Sequence, residues 1–416
     1  MELRFDGKEV LSAYAHLREI FDSTPVVYYQ TLQSGGRTID VLVKCEHVNS
    51  MHTFKVRGAE IAVSQTARSL LGQGQDLSNL EIVTASAGNH AQGVALAASR
   101  WKIPAKIFMP VDTPEPKIRR IEDAIKAAPD GLISIVKTGR DFDETLESAL
   151  GYKVETNGTR LGQGQHKRVF VPPYQNKEII RGQGSILVEY VVTNARGIDD
   201  RVALRILRRE ERSLNPKEYF SVPDVVVASL GGGGLVSGLG VTARYLNKLL
   251  DSDIKVVGVQ SELADAMYRS YHAGQLLPSF KEGKTIADGI AVKKASEEML
   301  YLVKEFVDDV LCVEEEEILQ TIRKFHYHPK VHGKEFSAVE RYSPKYPQRT
   351  LPGSQQTYSH GRPLDRIEGA AAAALAGVPH LDYKTLGLEN KEHLTVLVIL
   401  SGGNIAEDTF QKIIAK

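Results

Sequence analysis

The sequence has few cysteines and no net charge. Its 416 residues include two cysteines, Cys45 and Cys312. Two thiols are too few for a disulfide framework or a cysteine-based metal cluster, which favours a reducing compartment. The 52 basic residues balance the 52 acidic residues, so the chain has no overall field that would attract a nucleic acid or an acidic membrane. Specific binding is therefore expected from a local site.

Long hydrophobic runs are scarce as well. The N-terminal segment 1–21 carries charges throughout and lacks the apolar core of a signal peptide, and no later stretch is long enough to span a membrane. We therefore expect a cytoplasmic protein that binds neither membrane nor nucleic acid. A single hydrophobic core rarely grows beyond roughly 250 to 300 residues, so a chain of this length is expected to form two domains.

Short apolar runs alternate with helical patterns, several of them rich in alanine. Glycine or asparagine turns follow several of the runs. Such repetition is typical of parallel sheets that helices cover on both faces, and the predicted class is α/β. The predicted strands are residues 40–44, 81–84, 105–109, 133–136, 225–228, 255–259 and 394–400.

Three stretches interrupt the alternation, at residues 151–168, 195–220 and 328–362. Their polar and turn-forming residues predict surface excursions. The third is rich in His, Pro, Tyr and Ser, and a structureless run of this length is uncommon inside a compact domain. A functional loop, a disordered segment and retained non-coding sequence all fit it, and these alternatives stay open.

Segment 52–59, HTFKVRGA, places Lys55 at the predicted start of a helix that follows a strand. A helix N-terminus beside Arg57 supplies positive potential, which favours the uncharged, nucleophilic form of an amine. By itself the pattern also fits a surface lysine whose stem lies along apolar neighbours.

Segment 84–91, TASAGNHA, forms a turn of small residues between a strand and a helix. Backbone N–H groups in such a turn can bind an anion such as a carboxylate, and Ser86, Asn89 and His90 add hydrogen-bonding side chains. A polar loop with a helix cap is the alternative. The functional interpretation is favoured because these side chains follow a strand of a parallel sheet, where ligands bind.

Segment 225–235, VVVASLGGGGL, has four consecutive glycines between a strand and a helix. Glycine lets successive amides approach a phosphate closely, and the helix dipole favours the dianion. The glycine spacing fits neither the dinucleotide-binding pattern nor the Walker pattern, and a hinge is the less favoured alternative. Segment 396–404, VLVILSGGN, is a buried strand that delivers Ser401 to the carboxyl edge of the sheet, where its hydroxyl can bond a ring nitrogen or simply cap the strand.

In this order the four segments resemble those of the fold-type II pyridoxal-phosphate enzymes, and within them the threonine/serine ammonia-lyases (dehydratases) and the serine racemases. The resemblance extends from about residue 11 to 406, outside the three excursions. It implies a two-lobed fold like that of the tryptophan synthase β chain, each lobe a mostly parallel sheet flanked by helices. Further similar segments are residues 109–110, 171–174, 179–186, 287–291 and 366–377.

The resemblance also implies a role for individual residues. Lys55 would bind pyridoxal 5'-phosphate covalently and then act as the base, and Ser401 would face the pyridine nitrogen. The implied cofactor contacts are Phe54, Lys55, Asn89, Gly231, Gly232, Gly233, Gly234, Leu235, Gly289, Glu368 and Ser401, and the implied substrate contacts are Ser86, Ala87, Asn89 and His90.

The implied reaction is elimination of the β-hydroxyl of threonine or serine, which yields 2-oxobutyrate or pyruvate and ammonia and connects the enzyme with isoleucine biosynthesis. Segment 52–59 is more similar to the ammonia-lyase signature than to that of cysteine synthases. Ala87 replaces the second serine of the racemases, so racemisation is expected to be poor. Gln260 and Ala266 stand where some members carry two metal-binding carboxylates, and no metal is predicted.

Several alternatives stay open: a serine racemase, a hydroxyaspartate ammonia-lyase, a threonine synthase-like enzyme, or a catalytically inactive member. The resemblance predicts a large cofactor domain at 1–78 and 161–416 and an inserted small domain at 79–160. It also implies a homo-oligomer, a dimer or a tetramer. Because the chain ends soon after Asn404, neither a C-terminal regulatory domain nor inhibition by isoleucine is expected.

Overall fold

The computed structural model describes residues 5–126, 128–154, 167–211, 213–281, 283–328 and 365–416. The chain packs as two compact units, a first unit of Met1–Phe54 with Gln183–Lys416 and a second unit of Lys55–Gly182. The domain borders at 78/79 and 160/161 stay a prediction. Most of the excursions predicted at 151–168 and 328–362 lies outside the described residues.

The described residues form ten strands, most of them short and apolar. In chain order they are β1 (Val26–Ser34), β2 (Arg37–Lys44), β3 (Leu80–Ala85), β4 (Ala105–Met109), β5 (Ile133–Lys137), β6 (Lys167–Phe170), β7 (Val225–Ser229), β8 (Lys255–Ser261), β9 (Asp309–Val313) and β10 (His393–Ile399).

Helices separate most of the strands, which confirms the predicted α/β class. In chain order they are α1 (Gly7–Leu17), α2 (Lys55–Gly72), α3 (Asn89–Trp101), α4 (Glu115–Ala124), α5 (Phe142–Val154), α6 (Lys177–Thr193), α7 (Asp200–Leu207), α8 (Pro216–Tyr219), α9 (Gly234–Leu250), α10 (Ala266–Ala273), α11 (Glu297–Phe306), α12 (Glu315–His326), α13 (Gly369–Ala376) and α14 (Glu407–Ile414).

A six-stranded sheet organises the first unit, in the order β1-β2-β10-β7-β8-β9. Only the β1–β2 hairpin is antiparallel, and the other neighbours pair in parallel. All five residues of β7 are buried, as are six of the seven residues of β10. Continuous apolar runs of this kind suit strands that are covered on both faces. The carboxyl ends of β7 and β10 therefore meet at one edge of the sheet.

A buried ion pair lies beside this edge. Lys44, the last residue of β2, is fully buried, and its Nζ lies 2.6 Å from Glu189 Oε1 in α6 and donates to Thr24 O at 2.6 Å. The Lys44 carbonyl accepts a hydrogen bond from Leu400 N at 2.9 Å. The charged pair thus supports the strand end that precedes Ser401.

A four-stranded parallel sheet organises the second unit, in the order β5-β4-β3-β6. Its apolar core includes buried residues of α2 and α3. At the end of α3, Trp101 Nε1 donates to Glu60 Oε1 at 2.9 Å, and the Arg100 guanidinium bonds the other oxygen of the same buried carboxylate at 3.1 Å. These bonds join α2 to α3.

Each of the seven predicted strands corresponds to a strand of the structure. The excursion predicted at 195–220 was in part wrong, because it contains α7, a helix whose Ala203, Leu204, Ile206 and Leu207 are buried. Among the helices that the structure describes, none is long and apolar enough to cross a membrane.

Candidate active site

The glycine turn of the first unit connects β7 to α9. Gly233 has a φ of 94°, in the left-handed region that favours glycine. A Cβ at Gly231 would lie 3.0 Å from Ile290 Cα, and a Cβ at Gly233 would lie 3.0 Å from Met299 Cε. The turn therefore packs too closely on its neighbours to accept larger residues.

The turn leads directly into a helix of 17 residues that begins at Gly234. The first amides of a helix have no acceptor within the helix, and their partial positive charge favours an anion. Gly231 and Gly232 are half-buried, whereas Gly233, Gly234 and Leu235 are buried. A loop of this construction can bind a phosphate through its backbone.

Ser401 follows β10 at the same edge of the sheet. Its side chain is 1% exposed, and its hydroxyl accepts a hydrogen bond from Ser229 Oγ at 3.3 Å. Its carbonyl accepts a hydrogen bond from Phe54 N at 3.0 Å, and Phe54 itself is buried. The residue before Lys55 in the chain is thus bonded to the segment that carries Ser401.

Glu368 lies next to this segment. It precedes α13, is 5% exposed, and donates its backbone N–H to Gly402 O at 3.0 Å. A Cβ at Gly289 would lie 3.6 Å from Glu368 Oε1, and a Cβ at Gly402 would collide with the same carboxylate. Gly402 therefore leaves the space that the Glu368 side chain occupies. Gly289 and Glu368 lie close together in the structure, and their position beside the cofactor stays a prediction.

Lys55 is the first residue of α2, in the second unit. Its Nζ donates to Pro173 O at 3.0 Å, and the side chain is half-buried. A Cβ at Gly93 would lie 3.1 Å from the Lys55 carbonyl oxygen, so glycine at this position in α3 lets the start of α2 approach. The start of α2 thus packs closely on α3, and the Lys55 amine donates to the Pro173 carbonyl.

The turn between β3 and α3 carries the predicted carboxylate-binding residues. Ser86 N donates to Phe108 O at 2.9 Å, and Ser86 Oγ accepts from Gly88 N at 3.2 Å. Ser86, Ala87, Gly88 and Asn89 are half-buried, and Asn89 begins α3. A Cβ at Gly88 would meet none of the described atoms within 4 Å. Space is thus open beside Gly88, just before the N-terminus of α3, where an anion can bind.

His90 differs from its neighbours in this turn. It is 3% exposed, and its Nε2 lies 3.0 Å from the Val171 carbonyl oxygen, which can only accept. Burial, followed by the charge of Lys55, lowers the pKa of His90 to about 3, so the ring is neutral at pH 7. With Nε2 donating to Val171, Nδ1 is an acceptor, and within the described chain it has no hydrogen-bond partner. Because Nδ1 and the carboxylate oxygens are all acceptors, the His90 side chain cannot bind a carboxylate through Nδ1. The backbone N–H of His90 is left for that role.

Three contributors to these sites were not predicted. The carbonyls of Val171 and Pro173 bond His90 and Lys55, and Ser229 bonds Ser401. The signal for the first two was the similar segment 171–174, and the signal for the third was a serine just before the glycine turn.

No metal was predicted at Gln260, and the side chain of this residue makes a hydrogen bond. Gln260 is fully buried, and its Oε1 accepts from Tyr268 N in α10 at 2.7 Å. Its Nε2 has no partner among the residues described here. The same residues contain no group of three or more His, Cys, Asp and Glu that could hold a metal ion.

Comparison with known proteins identifies the family. Residues 18–339 match the family described as pyridoxal-phosphate dependent enzyme. The chain belongs to this family. The enzyme is 29% identical over 412 residues to the L-threonine ammonia-lyase of Thermotoga maritima, an alignment that covers 98% of this chain and 78% of that protein.

A second relative carries a similar name. The enzyme is 30% identical over 349 residues to the biosynthetic L-threonine dehydratase of Staphylococcus epidermidis, covering 83% of this chain and 71% of that protein. Several other relatives with these names are longer, and the enzyme spans between 51% and 64% of their length.

Solved structures share the fold. The processed form of threonine deaminase isoform 2 from Solanum lycopersicum is 23% identical with a TM-score of 0.65, covering 100% of this chain and 90% of that chain. Maize serine racemase is 21% identical with a TM-score of 0.65, covering 99% and 97%. Because the fold serves both activities, only the residues of the site can separate them.

The residues present fit pyridoxal phosphate. The glycine turn packs closely on Ile290 at Gly231, and it leads into a long helix whose first amides can bind a phosphate. Ser401 offers a neutral hydroxyl at the adjacent strand end. In the second unit, Lys55 supplies an amine at a helix start. Backbone amides can bind a phosphate, a hydroxyl can donate to a pyridine nitrogen, and an amine can react with an aldehyde.

Proposed function

We propose that this pyridoxal-phosphate enzyme is an ammonia-lyase (dehydratase) that converts L-threonine, L-serine or both to 2-oxobutyrate or pyruvate and ammonia. The main support is the alignment with an L-threonine ammonia-lyase over 98% of the chain. Lys55 at the start of α2 and the glycine turn before α9 support the same proposal, because they supply the amine and the phosphate cradle that the reaction needs.

Lys55 has two tasks in the proposed reaction. Its amine would hold the cofactor covalently, and its free Nζ would take the proton from the substrate α-carbon. Bound pyridoxal phosphate supplies a conjugated ring that stabilises the negative charge left at that carbon. The β-hydroxyl would take up a proton and leave as water, which balances the proton removed from the α-carbon, and hydrolysis of the released enamine would give the 2-oxo acid and ammonia. The Pro173 carbonyl, 3.0 Å from Lys55 Nζ, orients the free amine.

The other residues bind and orient. The amides at Gly231, Gly232, Gly233, Gly234 and Leu235 bind the cofactor phosphate, and the turn with Ser86, Ala87 and Asn89 binds the substrate carboxylate, together with the His90 N–H. Phe54, Asn89, Gly289 and Glu368 line the cofactor. Ser401 bonds the ring nitrogen without giving it a full charge, which favours elimination over transamination.

Ala87 supports elimination over racemisation. Inversion at the α-carbon needs an acid or base on each face, and a methyl group cannot transfer a proton. Lys55 serves one face, and the serine that would serve the other in racemases is Ala87 here. We therefore expect 2-oxo acid rather than D-amino acid as the product.

The test compares the wild type with Lys55→Ala and with Lys248→Ala, an exposed helical lysine in α9. The wild type should show the visible absorbance of bound cofactor and should form 2-oxo acid from threonine and serine. Lys55→Ala should lose the absorbance and at least about 10² to 10⁴-fold in kcat, the usual contribution of a general base. Lys248→Ala should match the wild type.

Two other outcomes would select an alternative. A wild type that shows no cofactor absorbance after incubation with pyridoxal phosphate would indicate a catalytically inactive member. A wild type that forms D-serine faster than pyruvate from L-serine would indicate a racemase. Borohydride reduction followed by peptide mass spectrometry would identify the lysine that carries the cofactor.

We further propose that the enzyme acts in the cytoplasm as a homo-oligomer, a dimer or a tetramer. The small number of cysteines supports a reducing compartment. Light scattering of the purified protein would measure the mass of the assembly against the 45.8 kDa of one chain.

A further inference from the structure

Ser401 has a hydroxyl neighbour at the edge of the six-stranded sheet. Ser229 is the last residue of β7, and its Oγ donates to Ser401 Oγ at 3.3 Å. Their side chains are 4% and 1% exposed. β7 and β10 are adjacent parallel strands in which Ala228 pairs with Ile399, so the sheet itself holds the two serines together. The pair is therefore part of the buried framework and not a chance contact of surface rotamers.

The direction of this bond decides what Ser401 can do. A hydroxyl has one hydrogen to donate and two lone pairs that accept. When Ser229 donates to Ser401, the hydrogen of Ser401 stays available for another acceptor. An unprotonated pyridine nitrogen is such an acceptor. In the reverse arrangement Ser401 donates to Ser229 and offers a lone pair, which suits a protonated nitrogen.

We propose that Ser229 is a positioning residue that acts through Ser401, holding the Ser401 hydroxyl as a donor toward the cofactor ring nitrogen. The inference rests on the proposed function, because that function requires the cofactor ring. It adds Ser229 to the residues that act on the ring. Ser229 touches neither substrate nor cofactor in this role. The bond is longer than the usual 2.7 to 2.8 Å between hydroxyls, so its contribution is moderate.

A double-mutant cycle tests the inference on the cofactor-loaded protein without substrate. The proteins are the wild type, Ser229→Ala, Ser401→Ala and the double variant. Equilibrium dialysis measures the Kd for pyridoxal phosphate, and absorbance spectra between pH 6 and pH 9 follow the bound cofactor. Such a cycle isolates the coupling between two residues from their separate effects.

We expect Ser229→Ala to raise the cofactor Kd about two- to tenfold, the usual range for one lost hydrogen bond, and to change the pH dependence of the spectrum. In the Ser401→Ala background the same change should have no further effect. Ser229→Thr keeps a hydroxyl and should stay within about twofold of the wild type. Ser64→Ala is the matched control, since this buried hydroxyl bonds Ile61 O inside α2.

Equal losses in both backgrounds would overturn the inference, because they would show that Ser229 acts on the fold of the glycine turn and not through Ser401. An unchanged Kd and spectrum in Ser229→Ala would overturn it too. Either result can occur in a wild type that makes 2-oxo acid, so the proposed function would stand. A wild type that binds the cofactor but makes no 2-oxo acid would contradict the proposed function alone, and one that binds no cofactor would contradict both.

Discussion

The two units build the same local pattern, a parallel strand followed by a turn and a helix, and they specify it in different ways. The turn after β7 lies so close to Ile290 and Met299 that a Cβ at Gly231 or Gly233 would press on them. The turn after β3 is open at Gly88 and is held instead by hydrogen bonds of Ser86.

The buried polar groups near the two sites differ as well. In the first unit a charged pair, Lys44 with Glu189, lies behind the strand that ends before Ser401. In the second unit a neutral side chain, His90, bonds the Val171 carbonyl. The comparison shows that one site depends on close packing and buried charge, whereas the other depends on polar bonds and on an uncharged ring.

The largest expected effect concerns the charged support. Lys44→Met leaves the Glu189 carboxylate buried without its cation, which should lower the free energy of unfolding by about 3 to 5 kcal/mol. Urea denaturation followed by circular dichroism at pH 7 measures the change. The matched control is Lys217→Met, which removes the exposed pair with Asp251 and should alter stability little. Equal effects of the two variants would contradict the comparison.

The neutral support should make stability depend on pH. The folded-state pKa of His90 is lowered from 6.5 to about 3, so between these values the unfolded chain binds a proton that the folded chain does not. The neutral His90 ring therefore costs no stability above about pH 6.5. As the pH falls below this value the free energy of unfolding decreases, by about 2 kcal/mol at pH 5.

The matched variant is His90→Gln, which keeps an N–H donor and does not titrate. The wild type should lose about 2 kcal/mol more unfolding free energy than this variant between pH 7 and pH 5, measured by urea denaturation. A parallel decrease in both proteins would show that His90 is protonated in the folded state.

The glycine turn after β7 and the turn after β3 should respond differently to one added methyl group. Gly231→Ala forces a Cβ against Ile290 and should lower the free energy of unfolding by about 1 to 3 kcal/mol and weaken cofactor binding. Gly88→Ala enters open space and should change stability by less than about 0.5 kcal/mol. Thermal unfolding and cofactor dialysis of both variants measure this, and a Gly88 variant as unstable as the Gly231 variant would remove the distinction.

The smallest expected effect is that of Ser86→Ala. Loss of its hydrogen bond with Gly88 N should lower the free energy of unfolding by about 0.5 to 1.5 kcal/mol and raise the KM for threonine. The absorbance of bound cofactor should stay the same, since Ser86 is proposed to bind substrate. Steady-state kinetics and a spectrum of the same sample test both statements, and a changed spectrum with an unchanged KM would reverse the assignment.

The sequence predicted every central strand and one of the four edge strands, β5. Central strands such as β7 and β10 are continuous apolar runs. The three strands that were not predicted, β1, β6 and β9, all lie at sheet edges, and β6 has only four residues. β1 mixes polar with apolar residues and β6 is short, so their apolar signal is weak, whereas β9 is apolar and its pattern does not explain why it was missed.

The site residues were also predictable only where the signal lies within one segment of the chain. Segments in which small residues follow a strand could be found one at a time, since each carries its own chemistry. The bond between Ser229 and Ser401 joins residues 172 positions apart and depends on β10 lying beside β7 in the sheet. Local patterns do not fix strand order, so this contact required the structure.

The hydrogen bond between Trp101 and Glu60 has a practical consequence. Trp101 is the single tryptophan of the sequence and lies in the second unit, with its Nε1 bonded to the buried carboxylate. Its fluorescence therefore reports on that unit, at the end of the helix that begins with Asn89, without any introduced dye. In every variant, emission from this one indole reports on the unit that contains Lys55. The unit that contains the glycine turn has no tryptophan and adds nothing to the signal.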